Sequence, residues 1–251
     1  MNIDAEDKLI ISRAEDAIQI SEKRYSIKSI GFLSPHQRVV IQNNLHPPLD
    51  INIAFFGGFD GAERTLFVSS PEYLEVEYAD IISVLEITGR DISELSHRDF
   101  LGSLLSLGIK REKIGDILPC GEKAFVFVRS DIAEYIVSNM NKIGNRGIHV
   151  KITDPNEAQI PEKEIKEISG TVSSLRLDSV LALAMGTSRS KVVEIIKSDK
   201  VSVNWEASDN VSLNIKENDI ISVRGFGRIK LSHVGGITRK GRHSIIIDRY
   251  I

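Results

Sequence analysis

Basic and hydroxyl-bearing residues gather in the final third of the sequence, where their spacing suits the binding of a polyanion. Ser188-Arg189-Ser190-Lys191 stands at the predicted start of a helix, where free backbone N–H groups favour an anion such as phosphate. Amides, hydroxyls and cations that converge on one edge can hold a sugar-phosphate backbone by its shape. We therefore predict one such edge, formed by Arg176, Ser188, Arg189, Ser190, Lys191, Lys197, Lys200, Asn204, Arg224, Arg228 and Lys230.

The net charge of −3 conceals an uneven distribution of charge along the chain. Residues 169–251 contain 13 Lys and Arg against 8 Asp and Glu, whereas residues 1–168 contain 19 against 27. This asymmetry favours a polyanionic partner for the C-terminal segment. A solvated rim on a small domain would give the same count, so charge alone leaves both interpretations open.

The remaining composition excludes several other classes of protein. Cys120 is the only cysteine, which rules out an internal disulfide, and no Cys/His cluster has the spacing of a zinc site. No apolar run approaches the ~20 residues of a membrane-spanning helix. The acidic start of the chain is unlike a secretory signal. We expect a cytoplasmic monomer without a metal, cofactor or membrane partner.

The hydrophobic pattern in the basic segment predicts two short helices packed against a small sheet. Apolar residues from Leu177 to Ala184 form one helix face, and Gly186 suits a left-handed C-terminal cap. Ser188 is the predicted N-cap of the second helix, whose apolar stripe lies within residues 192–196. The predicted strands of the sheet are residues 201–203, 211–215 and 220–223.

Four short motifs follow one another in this segment: Arg176-Leu177-Asp178, Ser188-Arg189-Ser190, Val201-Ser202-Val203-Asn204 and Glu217-Asn218-Asp219-Ile220. Over about residues 173–231, their order resembles the RNA-binding domain named after ribosomal protein S4. The resemblance implies that the predicted edge binds RNA. Two positions depart from the family pattern, since Asp199 and Trp205 stand where the family commonly has glycine. These departures could alter the turns beside Lys200 and Asn204.

An S4-like domain at the C-terminal end of a chain of this length, with Gly225-Phe226-Gly227-Arg228, resembles the YlmH family. That family is bacterial and cytosolic and is often encoded among cell-division genes. The resemblance implies binding of structured rRNA on the large ribosomal subunit when a stalled peptidyl-tRNA obstructs it, as part of ribosome-associated quality control. It leaves tRNA open as a further RNA partner, and we expect no DNA partner.

The sequence before residue 156 predicts two further regions. The N-terminal region has an amphipathic helix at 4–24, a helix starting at Ser34-Pro35, and a β-hairpin of strands 51–56 and 64–69. The next region follows the order β-α-β-β-α-β of a ferredoxin-like unit. Its predicted elements are residues 81–88, 96–107, 114–118, 124–128, 130–143 and 148–152.

The predicted fold class is therefore α+β, with N-terminal helices plus a β-hairpin, a ferredoxin-like middle domain and a small C-terminal S4-like domain. The Pro- and Glu/Lys-rich stretch between the last two domains reads as a linker. The predicted boundaries are 1–75, 76–155, the linker 156–169, and 170–251.

A second RNA surface is conceivable on strand 124–128. In RNA-recognition folds the corresponding strand carries aromatic residues at alternate positions, and bases stack on them. Phe125 and Phe127 would share one face of this strand. We favour the alternative that the N-terminal hairpin covers them as ordinary core, because exposed aromatic pairs are exceptional in an acidic segment.

An enzymatic alternative rests on Gly89-Arg90-Asp91, which resembles the short motif carrying the catalytic aspartate of pseudouridine synthases. Many of those enzymes also have an S4-like domain, although they usually place it first and have a larger catalytic domain. A three-residue motif recurs by chance, and we favour a turn at the end of a strand. The leading prediction is a non-catalytic RNA-binding protein, with an RNA-modifying enzyme or an adaptor that has lost RNA contact as alternatives.

Overall fold

The computed structural model describes residues 4–161 and 164–250. Each of these two ranges forms one compact unit. Residues 1–3, 162–163 and 251, which belong to the predicted N-terminal region, linker and C-terminal domain, lie outside the described residues. The fold is α+β, as predicted. Its helices are α1 (Ala5–Arg24), α2 (Pro35–Asn44), α3 (His97–Ser106), α4 (Ala133–Asn139), α5 (Leu177–Met185) and α6 (Arg189–Lys197).

The strands form one sheet in the second unit and two in the first. Those of the first unit are β1 (Lys28–Leu33), β2 (Ile51–Phe56), β3 (Thr65–Pro71), β4 (Ile82–Gly89), β5 (Ile114–Cys120), β6 (Lys123–Arg129), β7 (Lys142–Ile143) and β8 (Arg146–Thr153). Those of the second are β9 (Ile165–Val172), β10 (Val201–Val203), β11 (Glu206–Ala207), β12 (Ile220–Val223), β13 (Gly227–Ile237) and β14 (His243–Tyr250). No helix in 4–161 or 164–250 is long and apolar enough to cross a membrane.

The N-terminal part of the first unit packs α1 and α2 on an antiparallel sheet of order β1-β3-β2. Both helices start at a capping box, in which the Asp4 or Ser34 side chain accepts a hydrogen bond from the backbone N–H three residues later. The two helices and the hairpin β2–β3 confirm the prediction. Strand β1 was not predicted, although it pairs with β3 in the same sheet.

The middle of the first unit forms an antiparallel sheet of order β5-β6-β4-β8-β7. Without the short β7 this is the strand order of the predicted ferredoxin-like fold, with α3 and α4 packed on one face. The predicted helix 130–143 was too long, because α4 ends at Asn139. Residues 142–143 instead form a hairpin with β8 through Gly144, whose φ of +57° allows the turn.

The N-terminal sheet covers the opposite face of the middle sheet, where Phe125 and Phe127 lie. Their side chains are buried with Phe32 of β1 and with Leu66 and Val68 of β3. Val126 and Val128 face the helices instead. The core interpretation of the two phenylalanines is therefore confirmed, and the surface on which RNA-recognition folds stack bases is not available in this unit.

The turn between β2 and β3 also contacts this core, which gives a prediction for Gly58. A Cβ atom built at Gly58 would lie 2.3 Å from Cδ1 of Phe127, and the glycine has a φ of +102°. We expect Gly58→Ala to lower the free energy of unfolding by about 2–3 kcal/mol in chemical denaturation, because overpacking adds to backbone strain. Gly61→Ala is the matched control, since Gly61 has a φ of +84° but nothing within 4 Å of the added Cβ. An equal loss in both variants would contradict the steric explanation.

A partly buried polar network further joins the predicted N-terminal and middle domains. Asp116 of β5 accepts hydrogen bonds from the backbone N–H groups of Glu63 (2.7 Å) and Arg64 (3.0 Å). The Arg64 side chain donates to the backbone oxygens of Ile114 and Phe32, at 3.0 and 2.6 Å. Burial, together with the charge of Arg111, lowers the pKa of Arg64 to about 10. Residues 4–161 therefore form one compact unit, within which the predicted N-terminal and middle domains pack together.

The second unit has a six-stranded antiparallel sheet of order β11-β10-β12-β13-β14-β9, with α5 and α6 packed on one face. The predicted linker 156–169 differs from the structure, because residues 165–169 form the first part of β9 and pair with β14. The predicted strand 211–215 is also wrong. Apart from a single bridge between Asn214 and Arg176, this segment has no strand pairing.

Candidate RNA-binding surface

A sharp turn joins α5 and α6 in the second unit, and the Arg189 side chain at the start of α6 reaches Asp178 in the first turn of α5. Gly186 ends α5 in the left-handed conformation, with a φ of +59°, as predicted. Ser188 then caps α6, and its Oγ accepts a hydrogen bond from the Lys191 N–H at 3.4 Å. Arg176 occupies the N-cap position of α5 and so lies at the start of that helix.

A buried carboxylate joins the two helix starts. The Asp178 side chain is only 3% exposed and accepts hydrogen bonds from Arg176 Nε at 3.2 Å and Nη2 at 3.3 Å. Arg189 Nη2 donates to the same carboxylate. The two arginine side chains remain 42% and 51% exposed. One buried anion therefore positions two cations whose outer surfaces stay available to a ligand.

We call Arg176, Ser188, Arg189, Ser190 and Lys191 the helix-end cluster. All five of these predicted residues lie at the starts of α5 and α6, and the four from α6 and its cap are exposed. Three cations against the single carboxylate of Asp178 leave the cluster positive. The free N–H groups at the start of α6 add a further partial positive charge. The structure therefore brings these five predicted residues together, and their contact with RNA stays a prediction.

Asp178 should make the stability of the second unit depend on acid pH. Burial would raise the pKa of Asp178, but the hydrogen bonds and charges of Arg189 and Arg176 outweigh burial and hold it below its ordinary value. Because the pKa of Asp178 is lower in the folded than in the unfolded chain, its carboxylate stabilises the fold at pH values above the unfolded-state pKa. This stabilisation is lost as the pH falls through the pKa of the folded state.

We therefore expect Asp178→Asn to lose about 1–2 kcal/mol of stability at pH 7, with the difference from the parent chain shrinking as the pH falls below the ordinary aspartate value of 3.8. Trp205, the single tryptophan of the chain, reports on urea unfolding of this unit. Asp209→Asn is the control, because Asp209 is 71% exposed. A loss that stays constant from pH 7 to 2.5 would contradict the role given to Asp178.

The other predicted cations lie away from the helix-end cluster. Lys200 and Arg224 belong to turns beyond the C-terminal end of α6, and Arg228 lies in β13 beside them. Helix α6 has nine residues, which separates the two groups by roughly 13 Å along its axis. We call Lys200, Arg224 and Arg228 the sheet-turn cluster. The single edge predicted from the sequence is therefore two clusters, one at each end of α6.

The remaining predicted residues have partners within the unit. Lys197 Nζ lies 3.7 Å from the Asp209 carboxylate, with both side chains largely exposed. Lys230 pairs opposite Asp248 in the neighbouring strand. The Asn204 side chain donates to Asp219 Oδ1 and accepts from the Ile220 N–H, both at 2.9 Å. Asn204 therefore stabilises the turn after β10. The sequence had predicted only a contact between Asn204 and RNA.

The two departures from the S4 pattern lie at backbone positions that favour glycine. Asp199 has a φ of +53° and Trp205 a φ of +67°, both in the left-handed region. The turns at these positions are therefore retained without glycine. Trp205 was not among the predicted site residues, although it lies beside the sheet-turn cluster. The sequence did mark Trp205 as unusual, because it follows Asn204 at a position where the S4 family commonly has glycine.

Two domain families match the chain. Residues 77–157 match a family described as "Putative RNA-binding domain in YlmH", and residues 175–221 match the S4 domain. A relative from Bacillus subtilis (strain 168), named Ribosome-associated protein quality control protein P2, is 30% identical over 246 residues, which cover 97% of this chain and 95% of that protein. The chain belongs to the YlmH family.

The YlmH matches coincide with structural elements of both units. The first covers β4 to β8, and the S4 match covers α5, α6, β10, β11 and the start of β12, with the helix-end cluster. Both matches favour an RNA-binding role. A solved structure titled Cell division protein ylmH from Streptococcus pneumoniae has a TM-score of 0.52 at 21% identity. The match covers 62% of this chain and 96% of the Streptococcus pneumoniae chain, and it supports the fold alone.

Proposed function

We propose that this protein binds structured rRNA on the large ribosomal subunit and acts in ribosome-associated quality control of stalled peptidyl-tRNA. The Bacillus subtilis relative carries ribosome-associated quality control in its name. The observation that carries the proposal is the pair of arginines held by Asp178 at two adjacent helix starts. In this proposal the protein works as a monomer in the cytoplasm, without a cofactor, a DNA partner or a membrane partner.

The helix-end cluster suits the backbone of a folded RNA rather than a particular base sequence. Arg176 and Arg189 present planar guanidinium groups that can donate two parallel hydrogen bonds to a phosphate. Ser188, Ser190 and the N–H groups of α6 add donors of the kind that position a backbone without reading bases. The cluster contains no exposed aromatic platform for stacking. Recognition of RNA by shape and phosphate position follows from this set of donors.

The proposal is tested by comparing RNA and DNA duplexes of the same length and sequence. We expect the RNA to bind more tightly, because recognition by shape distinguishes A-form RNA from B-form DNA. The measurement is fluorescence anisotropy with labelled duplexes at two salt concentrations. Equal affinities for both duplexes would indicate charge attraction alone and would contradict recognition of structured RNA.

We further propose that the protein is not an enzyme. Asp91, the candidate catalytic residue of the pseudouridine-synthase alternative, is 59% exposed, and its carboxylate lies 3.6 Å from Arg90 Nε. A carboxylate so exposed has little of the burial by which active sites tune their acids and bases. We expect no pseudouridine in rRNA incubated with the protein. Pseudouridine formation that disappears in Asp91→Ala would establish the enzymatic alternative instead.

A further inference from the structure

The sheet-turn cluster surrounds a pocket on the face of the second sheet that points away from α5 and α6. The pocket has a volume of about 510 Å³, in the range of sites for small-molecule-sized groups. Ser202 pairs opposite Ser222, and Ser222 opposite Arg228, so these three side chains form its floor. Their strand neighbours, such as Val201 and Val223, are buried against the helices, which places the floor on the open face.

The pocket is positively charged. Lys200, Arg224 and Arg228 line it together with a single carboxylate, that of Asp199. The Arg224 N–H donates to the Lys200 carbonyl oxygen at 2.8 Å, which fixes the two turns side by side. The Lys200 and Arg224 side chains are both exposed. The pocket therefore attracts an anionic group to its rim.

Trp205 gives the pocket an aromatic wall. Its left-handed backbone, with a φ of +67°, sets the indole in the turn between β10 and β11. The indole Nε1 is buried and, within residues 4–161 and 164–250, has no hydrogen-bond partner. An aromatic ring, two serine hydroxyls and a set of cations in one concave site are the groups that bind an unpaired base together with its phosphate.

We propose that this pocket binds a single unpaired RNA nucleotide, extruded from a folded RNA, whose base contacts Trp205 and whose phosphate contacts Lys200 and Arg224. A base within a duplex is stacked and paired and cannot enter a concave site, whereas a bulged base can. The inference rests on the proposed function, since the helix-end cluster must hold the neighbouring backbone. It adds to that function a preference for RNA with an unpaired nucleotide.

The experiment uses the full chain and two RNA hairpins with the same stem, one fully paired and one carrying a single-nucleotide bulge. We expect the bulged hairpin to bind roughly tenfold more tightly and to quench the fluorescence of Trp205, the single tryptophan. The paired hairpin should bind with little quenching. Equal affinities without quenching would overturn the pocket but leave the helix-end cluster standing, whereas failure to bind either hairpin would overturn the proposed function.

Two variants separate the pocket from the helix-end cluster. Arg224→Ala and Trp205→Gly should each abolish most of the preference for the bulge, with affinity read by anisotropy of labelled RNA. Trp205→Gly suits the left-handed turn, so its circular dichroism spectrum should stay unchanged. Lys240→Ala is the control, because Lys240 is an exposed cation in the turn between β13 and β14, at the other end of β13 from Arg228. A preference for the bulge that survives in Arg224→Ala and Trp205→Gly would refute the assignment.

Discussion

Replacing Arg189 and Lys191 together with alanine is expected to weaken RNA binding by on the order of 10- to 100-fold, whatever the RNA sequence. Both side chains lie in the first turn of α6, exposed beside the free helix N–H groups. Binding releases fewer counterions when phosphate contacts are lost. The slope of log affinity against log salt, which is negative, should therefore become shallower by about two. Titrations at four salt concentrations measure both effects.

The matched control for this double variant is Arg239→Ala with Lys240→Ala, which removes the same charge from the turn between β13 and β14. It should change the affinity and the slope far less. The fold should survive the Arg189 and Lys191 changes, because Asp178 keeps its hydrogen bonds to Arg176. Unchanged affinity and slope in the Arg189 and Lys191 variant would contradict RNA binding by the helix-end cluster.

Replacing Phe127 with alanine is expected to lower the free energy of unfolding of the first unit by about 3–5 kcal/mol. The ring is fully buried between the two sheets, and its centroid lies 4.8 Å from that of Phe59. Truncation leaves a cavity that Gly58 and its neighbours cannot fill without moving the turn. Chemical denaturation followed by circular dichroism measures the loss.

RNA affinity below the melting temperature should stay unchanged in Phe127→Ala, because the ring is inaccessible to a base. Tyr73→Ala is the control for loss of an aromatic ring, since Tyr73 is 68% exposed and should cost little stability. A fall in RNA affinity with an unchanged melting temperature would show that Phe127 stacks on a base after all.

Local signals in the sequence predicted the helices better than the strands. Capping residues and proline marked the start of α2, and Gly186 and Ser188 marked the turn between α5 and α6. Residues 165–169 of β9 were predicted as part of a linker because they end a stretch with prolines and a run of Glu and Lys. Five of the eight residues of the strand are exposed, so it carries no apolar pattern that would have indicated a strand. Its conformation comes from pairing with β14, some 80 residues later in the sequence, which no local pattern reports.

The same distinction applies to the site. The sequence predicted that the residues of the helix-end cluster lie together, because helix starts and basic side chains are both local features. It could not identify the role of Asp178, whose bond to Arg189 crosses 11 positions and depends on the angle between two helices. Nor could it separate the sheet-turn cluster from the helix-end cluster. Arg224 and Arg228 come beside Lys200, beyond the C-terminal end of α6, only through the pairing of β10 with β12 and of β12 with β13, which no local pattern reports.

Binding of rRNA by the helix-end cluster is tested most directly by sedimentation of the tagged full chain with purified large ribosomal subunits through a series of salt concentrations. We expect the parent chain to travel with the subunits at low salt and to dissociate as the salt rises. The Arg189→Ala, Lys191→Ala variant should dissociate at a lower salt concentration than the parent chain. Sedimentation with the subunits that is insensitive to salt and identical in the variant would contradict an rRNA-binding role for the helix-end cluster.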